Sequence, residues 1–258
     1  MELLKVENLD KSFLSSRRAK LVHAVNQVSF TVNSGEFVAL VGESGSGKST
    51  VAQIAAGLTP ADSGAVFLKG KRAAYPYSRE YYKIMQMVFQ MPVDSFDPRW
   101  RIGKVLENIL KRFAYPGNRR MRAAELLSMV GLPLAYLDKF PAQMSGGECQ
   151  RAALARALAV GPELLICDEI TSALDVSVQA QVIDLLLQLK EKTKISLLFI
   201  SHDLALVQGI SDRVLVMKDG MIVESGSTSE VLGAPRTAYT RQLIQSLITI
   251  EDAEKESY

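Results

Sequence analysis

The run EFVALVGESGSGKST, Glu36 to Thr50, constrains this chain more than any other feature. Phe37 to Val41 are apolar and read as a short buried strand, which stops at Gly42. Glycines at 42, 45 and 47 then alternate with Glu43, Ser44 and Ser46, and Lys48, Ser49 and Thr50 follow. Glycine admits left-handed backbone angles, so successive N–H groups in such a loop can point inward at one anion. A helix is expected from Lys48 to about Ala56, stopped by Gly57 and Pro60. Strand, loop and helix match G-x-x-x-x-G-K-[ST] through Gly42, Gly47, Lys48 and Ser49. The helix start adds about half a positive charge. Lys48 can reach the β- and γ-phosphates of a nucleoside triphosphate, and the Ser49 hydroxyl can ligate Mg²⁺. The dinucleotide fingerprint G-x-G-x-x-G fits poorly, because its third glycine position holds Thr50.

The rest of the chain supplies a fold for that loop. Leu3 to Leu9 and Ala24 to Val32 read as strands, separated by the polar loop Ser15 to Lys20, and AVFLKG returns as another. Ile102, Val105, Leu106, Ile109, Leu110 and Phe113 recur at helical spacing, as do Ala123, Leu126, Leu127 and Val130. Pro116-Gly117 and Gly131 to Pro133 punctuate these helices, so residues 92–160 read as a helical insertion. ELLICDE and ISLLFISHD are further buried strands, and Val178, Val182, Leu185, Leu186 and Leu189 mark an amphipathic helix between them. RVLVMKDGMIVESG reads as a hairpin turning at Asp219-Gly220, and Ser227 to Glu230 has capping-box spacing. Strands alternating with helices predict an α/β core with a mainly parallel sheet.

At the end of ELLICDE, Asp168 and Glu169 occupy the carboxyl edge of a strand, where ligands of open parallel sheets collect. Asp168 suits a Mg²⁺ site, and Glu169 suits a general base acting on water near the γ-phosphate. Either acid, taken alone, is also what an exposed strand terminus carries.

The segment MSGGECQRAALARAL, Met144 to Leu158, resembles the signature of ABC transporter ATPases, usually LSGGQ before an alanine-rich helix. Met144 and Glu148 depart from that pattern, whereas Ser145, Gly146 and Gly147 keep it. Phosphate loop, signature, CDE, SALD (Ser172 to Asp175) and SHD (Ser201 to Asp203) stand in the family's order, across nearly the whole chain. The resemblance implies a P-loop, RecA-like α/β fold with an antiparallel β subdomain at the N-terminus and an inserted α-helical subdomain. Its expected layout is a single ATP-binding domain: core and β subdomain over 1–91 and 161–232, helical signature subdomain over 92–160, C-terminal extension over 233–258. It also implies ATP and Mg²⁺ as ligands, with Gly42 to Thr50 around the phosphates. Ser145, Gly146, Gly147 and Glu148 would contact nucleotide held by a second ATPase subunit, identical or different. Gln90 resembles the glutamine touching Mg²⁺ and water, His202 the switch histidine on the γ-phosphate, Asp175 the acid communicating across the dimer, and Phe13 the aromatic on adenine.

Further motifs narrow the group. MPVDSFDPRW after Gln90 and GAPRTAYTRQLIQSL (Gly233 to Leu247) resemble segments of the dipeptide, oligopeptide and nickel importer ATPases. Such a subunit implies two separate permease subunits, an extracellular or periplasmic solute-binding protein acting through them, and a place on the cytoplasmic face of the membrane. The longest apolar runs fall well short of the ~18 residues of a bilayer span, and the N-terminus lacks the pattern of a signal peptide. A formal net charge of +2 gives no reason to expect nucleic acid. The basic clusters at Arg17-Arg18 and at Arg119, Arg120 and Arg122 read as solvated surface. Cys149 and Cys167 read as buried apolar residues, and no cysteine follows Cys167 to build an iron–sulfur site. A regulatory module that binds ATP without turnover, and a soluble ABC ATPase outside transport, are the competing expectations.

Overall fold

The structure is a computed structural model that describes residues 1–14 and 21–245. The loop at 15–20, with Arg17 and Arg18, and the chain from 246 onward lie outside the described residues. In chain order come β1 (Glu2–Leu14), β2 (Leu21–Asn33), β3 (Phe37–Val41), α1 (Lys48–Ala55), β4 (Ser63–Leu68), β5 (Lys71–Arg72), α2 (Arg79–Ile84) and β6 (Met85–Val88). Then follow α3 (Ile102–Arg112), α4 (Arg119–Met129), α5 (Gly146–Leu158), β7 (Leu164–Asp168) and α6 (Val176–Thr193). The last named elements are β8 (Ser196–Ser201), α7 (Leu204–Gln208), β9 (Arg213–Lys218), β10 (Met221–Ser227) and α8 (Thr228–Gly233). The chain divides into two compact units, one of Met1–Tyr77 with the chain from Ser196 onward, the other Ser78–Ile195.

In the first unit, β2, β1, β4 and β5 form an antiparallel sheet in that order. A second layer runs β10, β9, β3, β8, with β3 parallel to both β8 and β9. Every residue of β3 and β8 is buried, which is why both read as unbroken apolar runs rather than alternating ones. Phe37 and Phe199 cross edge to face at 5.9 Å between ring centroids. Asp212 bonds both backbone groups of Phe37: its carboxylate accepts from the Phe37 amide at 2.7 Å, and its own amide donates to the Phe37 carbonyl at 2.8 Å. The β9–β10 hairpin turns at Asp219 and Gly220, both at positive φ, the geometry that matches strand twist in tight hairpins. The capping box at Ser227 and Glu230 starts α8.

In the second unit, β6 and β7 pair in parallel from Met85 with Leu164 to Val88 with Cys167. Helices α3, α4 and α5 bury Ile102, Leu106, Leu110, Leu126, Leu127, Ala152, Ala153, Leu154 and Ala155. Ile109 and Phe113, expected on the same face, are only half-buried, at the edge of the α3 stripe. Asn118 caps α4 by accepting from the Met121 amide at 3.1 Å. Helix α2, which the sequence pattern did not signal, buries none of its residues. Cys149 and Cys167 are free and buried, and burial pushes both thiols above their ordinary pKa. Among the described residues, no helix is long and apolar enough to cross a membrane.

Because β3 and β8 carry the phosphate loop and His202, the contact between their rings should govern how firmly both are held. Phe199→Ala is expected to destabilise the fold by about 3–5 kcal/mol, read as a lower urea midpoint. A midpoint equal to wild type would contradict this packing role.

Candidate functional site

In the first unit, Gly42, Gly45 and Gly47 all stand at positive φ, at 152°, 81° and 103°. Glycine is required at the outer two for space as well: a Cβ at Gly42 would lie 2.1 Å from the Met217 carbonyl oxygen, and one at Gly47 would lie 2.1 Å from that of Ala24. At Gly45 a Cβ would meet nothing within 4 Å, so this side of the loop is open to an approaching ligand. Glu43, Ser44 and Gly45 are exposed, and Ser49 and Thr50 are half-buried at the start of α1. Gly47 caps α1 without a side-chain hydrogen bond, and the first turn holds no acid, so neither a capping side chain nor a first-turn carboxylate offsets the positive helix end. Lys48 is buried, with its Nζ turned back to donate to the carbonyls of Gly42 at 2.7 Å and Glu43 at 2.8 Å. Among the described residues, the buried Ser46 Oγ has no hydrogen-bond partner. A buried hydroxyl costs free energy when unpaired, so the loop has spare donor capacity where an anion would sit.

Val41 pairs with Ser201 across the parallel β3–β8 ladder, so Gly42 and His202 leave neighbouring strands at the same level. His202 is exposed. Just after it, Asp203 caps α7 by accepting from the Leu206 amide at 3.0 Å. Phe13, near the end of β1, is also exposed, with Lys11 Nζ 5.5 Å from its ring centroid.

In the second unit, the parallel pairing of β6 and β7 delivers Gln90 and the pair Asp168 and Glu169 from adjacent strand ends. Asp168 is buried and Glu169 half-buried. Gln90 Nε2 donates to Glu169 Oε2 and to Ser172 Oγ, both at 3.2 Å, and Ser172 Oγ donates to the Glu169 carbonyl at 2.9 Å. Glu169 stands at φ 47°, a conformation that costs a non-glycine residue about 1–3 kcal/mol. Its backbone is thus held in a strained turn while Gln90 aims its carboxylate. Ser172 lies in the SALD motif, but nothing in its residue type signalled this contact.

Ser145 caps α5. Its Oγ accepts from the Glu148 amide at 3.3 Å while Glu148 Oε2 accepts from the Ser145 amide at 2.8 Å. The Tyr136 hydroxyl donates to the other carboxylate oxygen. That hydroxyl first, and the Ser145 amide next, hold the Glu148 carboxyl below its ordinary pKa. Tyr136 is the residue sequence reasoning missed here, since no motif links it to Glu148. The two glycines differ. Gly146 is exposed, and a Cβ there would find only Leu174 Cδ2, at 3.8 Å. Gly147 is buried, and its Cβ would lie 2.4 Å from Val178 Cγ1. Gly147 is therefore small because α6 packs against it, and Gly146 is the glycine that leaves open backbone at the helix tip. Asp175 caps α6: its Oδ1 accepts from the Val178 amide at 3.0 Å and the Ser177 hydroxyl at 2.7 Å, and these bonds hold its carboxyl below the ordinary range.

A glycine loop between buried strand and uncapped helix, in an α/β fold of this topology, defines a P-loop nucleoside triphosphatase. The profile of the family described as "ABC transporter" matches residues 25–172. The oligopeptide transport ATP-binding protein OppF of Haemophilus influenzae is 40% identical over 271 aligned residues, covering 98% of this chain and 80% of its own length. OppF of Lactococcus lactis subsp. lactis is 39% identical over 255, covering 96% and 79%. The dimeric post-hydrolysis state of the ATP-binding cassette MJ0796 bound to ADP and Pi superposes with a TM-score of 0.77 at 29% identity, over 88% of this chain and 99% of that one. The chain belongs to the ABC transporter family and is an ATPase of that family.

At the helix tip, Gly147→Ala should destabilise the chain by about 1–3 kcal/mol through overpacking on Val178, whereas Gly146→Ala should leave the Tm within a degree or so; equal Tm shifts would contradict the assigned packing. In a carbon-detected NMR titration, Tyr136→Phe should raise the Glu148 midpoint toward the ordinary carboxylate value. The lowered folded-state pKa means that the Tyr136 bond stabilises the fold above the ordinary carboxylate range and is lost as pH falls through the folded midpoint. An unmoved midpoint would contradict the bond.

Proposed function

We propose that the chain binds and hydrolyses ATP as one subunit of an ABC importer of peptides, and that its turnover is coupled to peptide passage through separate permease subunits. The observation that carries the ATP reading is the Gly42–Thr50 loop: it combines three positive-φ glycines, a helix start without a side-chain cap, a buried Lys48 and a Ser46 hydroxyl that has no partner among the described residues. Peptides as cargo are supported by the relatives' names, oligopeptide transport ATP-binding proteins, over nearly the full chain.

The loop amides would take the β-phosphate, and Lys48 Nζ would exchange its two backbone carbonyls for phosphate oxygens. That exchange replaces neutral acceptors with charged ones, which adds a direct attraction between opposite charges to bonds the ammonium already makes. Hard oxygen donors suit Mg²⁺, which keeps most of its water and takes few protein ligands. Ser49 and Asp168 offer such oxygens, as does the amide oxygen of Gln90, whose nitrogen is already engaged by Glu169 and Ser172. The family resemblance assigns all three to Mg²⁺, which would neutralise charge on the β- and γ-phosphates. By the family resemblance, Glu169 would take a proton from water as that oxygen attacks the γ-phosphorus and the bond to the ADP oxygen breaks, giving ADP and phosphate. Gln90 fixes the carboxylate's direction. His202 donates to the γ-phosphate, and Phe13 offers an exposed ring to the adenine.

The α5 tip, with Gly146 open, would meet the γ-phosphate held by a second ATPase subunit, as the dimeric state of MJ0796 suggests. Triphosphate then favours the closed dimer and its hydrolysis releases it, a population shift driven by differential contacts. Asp175 would act at that same interface. The subunit would work at the cytoplasmic face of the membrane.

The test is phosphate release by the chain assembled with its partner subunits. Glu169→Gln should lower turnover by roughly 10²–10⁴-fold, the usual weight of a general base, while leaving ATP bound. Turnover equal to the Glu169→Gln control in the wild-type assembly would instead favour a module that binds ATP without hydrolysing it. Uptake of labelled oligopeptide into vesicles carrying the full assembly checks the cargo, and ATP turnover unaffected by any peptide and its binding protein would contradict it.

A further inference from the structure

The C-terminal segment reaches back to the phosphate loop. Residues 238–245 are helical, and Tyr239 in this stretch is buried. Its hydroxyl accepts a hydrogen bond from the Glu43 amide at 3.2 Å. Lys218 Nζ lies 4.7 Å from the centre of its ring. The neighbouring Met217 carbonyl fills the position that a Cβ at Gly42 would take. The first peptides of the loop are therefore held from several sides: Lys48 on the Gly42 and Glu43 carbonyls, Met217 against Gly42, and Tyr239 on the Glu43 amide. Further along, the Gly220 amide donates to the Ser46 carbonyl at 3.0 Å.

The segment that carries Tyr239 is itself fastened. Glu224, buried on β10, accepts from the amides of Arg236 at 2.8 Å and Thr237 at 3.0 Å. Thr237 Oγ1 accepts from the Thr240 amide at 3.1 Å and so caps the helical stretch. Burial opposes ionisation of Glu224, but the Arg236 amide, the Thr240 hydroxyl and the Thr237 amide outweigh it and hold its carboxyl below the ordinary range. The anchor is thus a carboxylate at neutral pH. Glu43 itself is exposed, so without this contact its amide would face solvent and the first peptide of the loop would be held from the carbonyl side alone.

We infer that Tyr239 is a positioning residue for nucleotide binding: fastened through Glu224, it holds the Glu43 peptide and keeps the loop in the conformation that receives phosphate. A loop already ordered loses less conformational freedom when ligand arrives, so affinity is gained without a direct contact. The inference rests on the reading of Gly42–Thr50 as the triphosphate site, and the controls below separate the two.

The experiment measures the Kd of ATP with Mg²⁺ by titration calorimetry for the wild-type chain, Tyr239→Phe, Glu224→Gln and Lys48→Ala. Tyr239→Phe keeps the ring and its Lys218 contact and loses only the hydroxyl. It should bind ATP roughly three- to tenfold more weakly, the weight of one neutral hydrogen bond. Amide hydrogen exchange over residues 42–47 should quicken, with little change in Tm. In the assembled ATPase, KM for ATP should rise while kcat at saturation holds. Glu224→Gln should shift affinity in the same direction, and if it fails to fold, Tyr239→Phe decides alone. Wild-type affinity and exchange in Tyr239→Phe, beside a clear loss in Lys48→Ala, would overturn the positioning role and spare the loop. Unchanged affinity in Lys48→Ala would overturn the loop reading itself. Loss of Tm and kcat in Tyr239→Phe with KM unmoved would make Tyr239 a packing residue and overturn the inference.

Discussion

Backbone held at positive φ at Gly42, Gly45 and Gly47, between a buried strand and a helix start without a side-chain cap, is the constraint on which the rest depends. That conformation is open to glycine at little cost and to other residues at considerable cost. The fold then exploits the missing side chains. The Met217 carbonyl from β9 and the Ala24 carbonyl from β2 approach faces that only glycine leaves vacant. Both sheets of the first unit are thereby built against the loop, and its shape is set by surrounding backbone rather than by its own flexible residues. Lys48 completes the arrangement, since its ammonium bonds the loop carbonyls at one end while its stem is buried.

The second unit meets a related problem by different means. Helix α5 also presents a starting turn, but here a side chain caps it, and Glu148 lies in the first turn where its charge complements the helix end. Its carboxylate is engaged by Tyr136 and the Ser145 amide, which leaves Gly146 as the uncovered part of the tip. Glu169 shows the cost of such placement. Its left-handed backbone is unfavourable for a non-glycine residue and is sustained by the Ser172 bonds to its carbonyl and by Gln90 on its carboxylate. Strain of this kind persists where surrounding structure over-determines it.

Much of this was legible in the sequence because the chemistry demands particular residue types at fixed spacing. The phosphate loop needs glycines for φ, β3, β7 and β8 need unbroken apolar runs because both faces are covered, and the Asp219-Gly220 hairpin and the Ser227–Glu230 cap carry local turn and cap chemistry. What was not legible is the long-range complement. Nothing within a few residues of Gly147 indicates that Val178 packs on it, and nothing beside Glu148 points to Tyr136. The contact of Tyr239 with the Glu43 amide spans nearly two hundred residues of chain. A family segment was visible around Tyr239, but its physical purpose requires knowing which amide it reaches. Helix α2 escaped notice for the opposite reason: it buries no residue, so it leaves no apolar periodicity to read.

The central claim is that the Gly42–Thr50 backbone, with Lys48, is the grip on triphosphate. A crystal structure of the Glu169→Gln chain with ATP and Mg²⁺ tests it most directly. It should show the β-phosphate ringed by loop amides, with Lys48 Nζ moved from the Gly42 and Glu43 carbonyls onto phosphate oxygens. Nucleotide bound away from the loop, or Lys48 still bonded to those carbonyls beside an ordered triphosphate, would contradict the account.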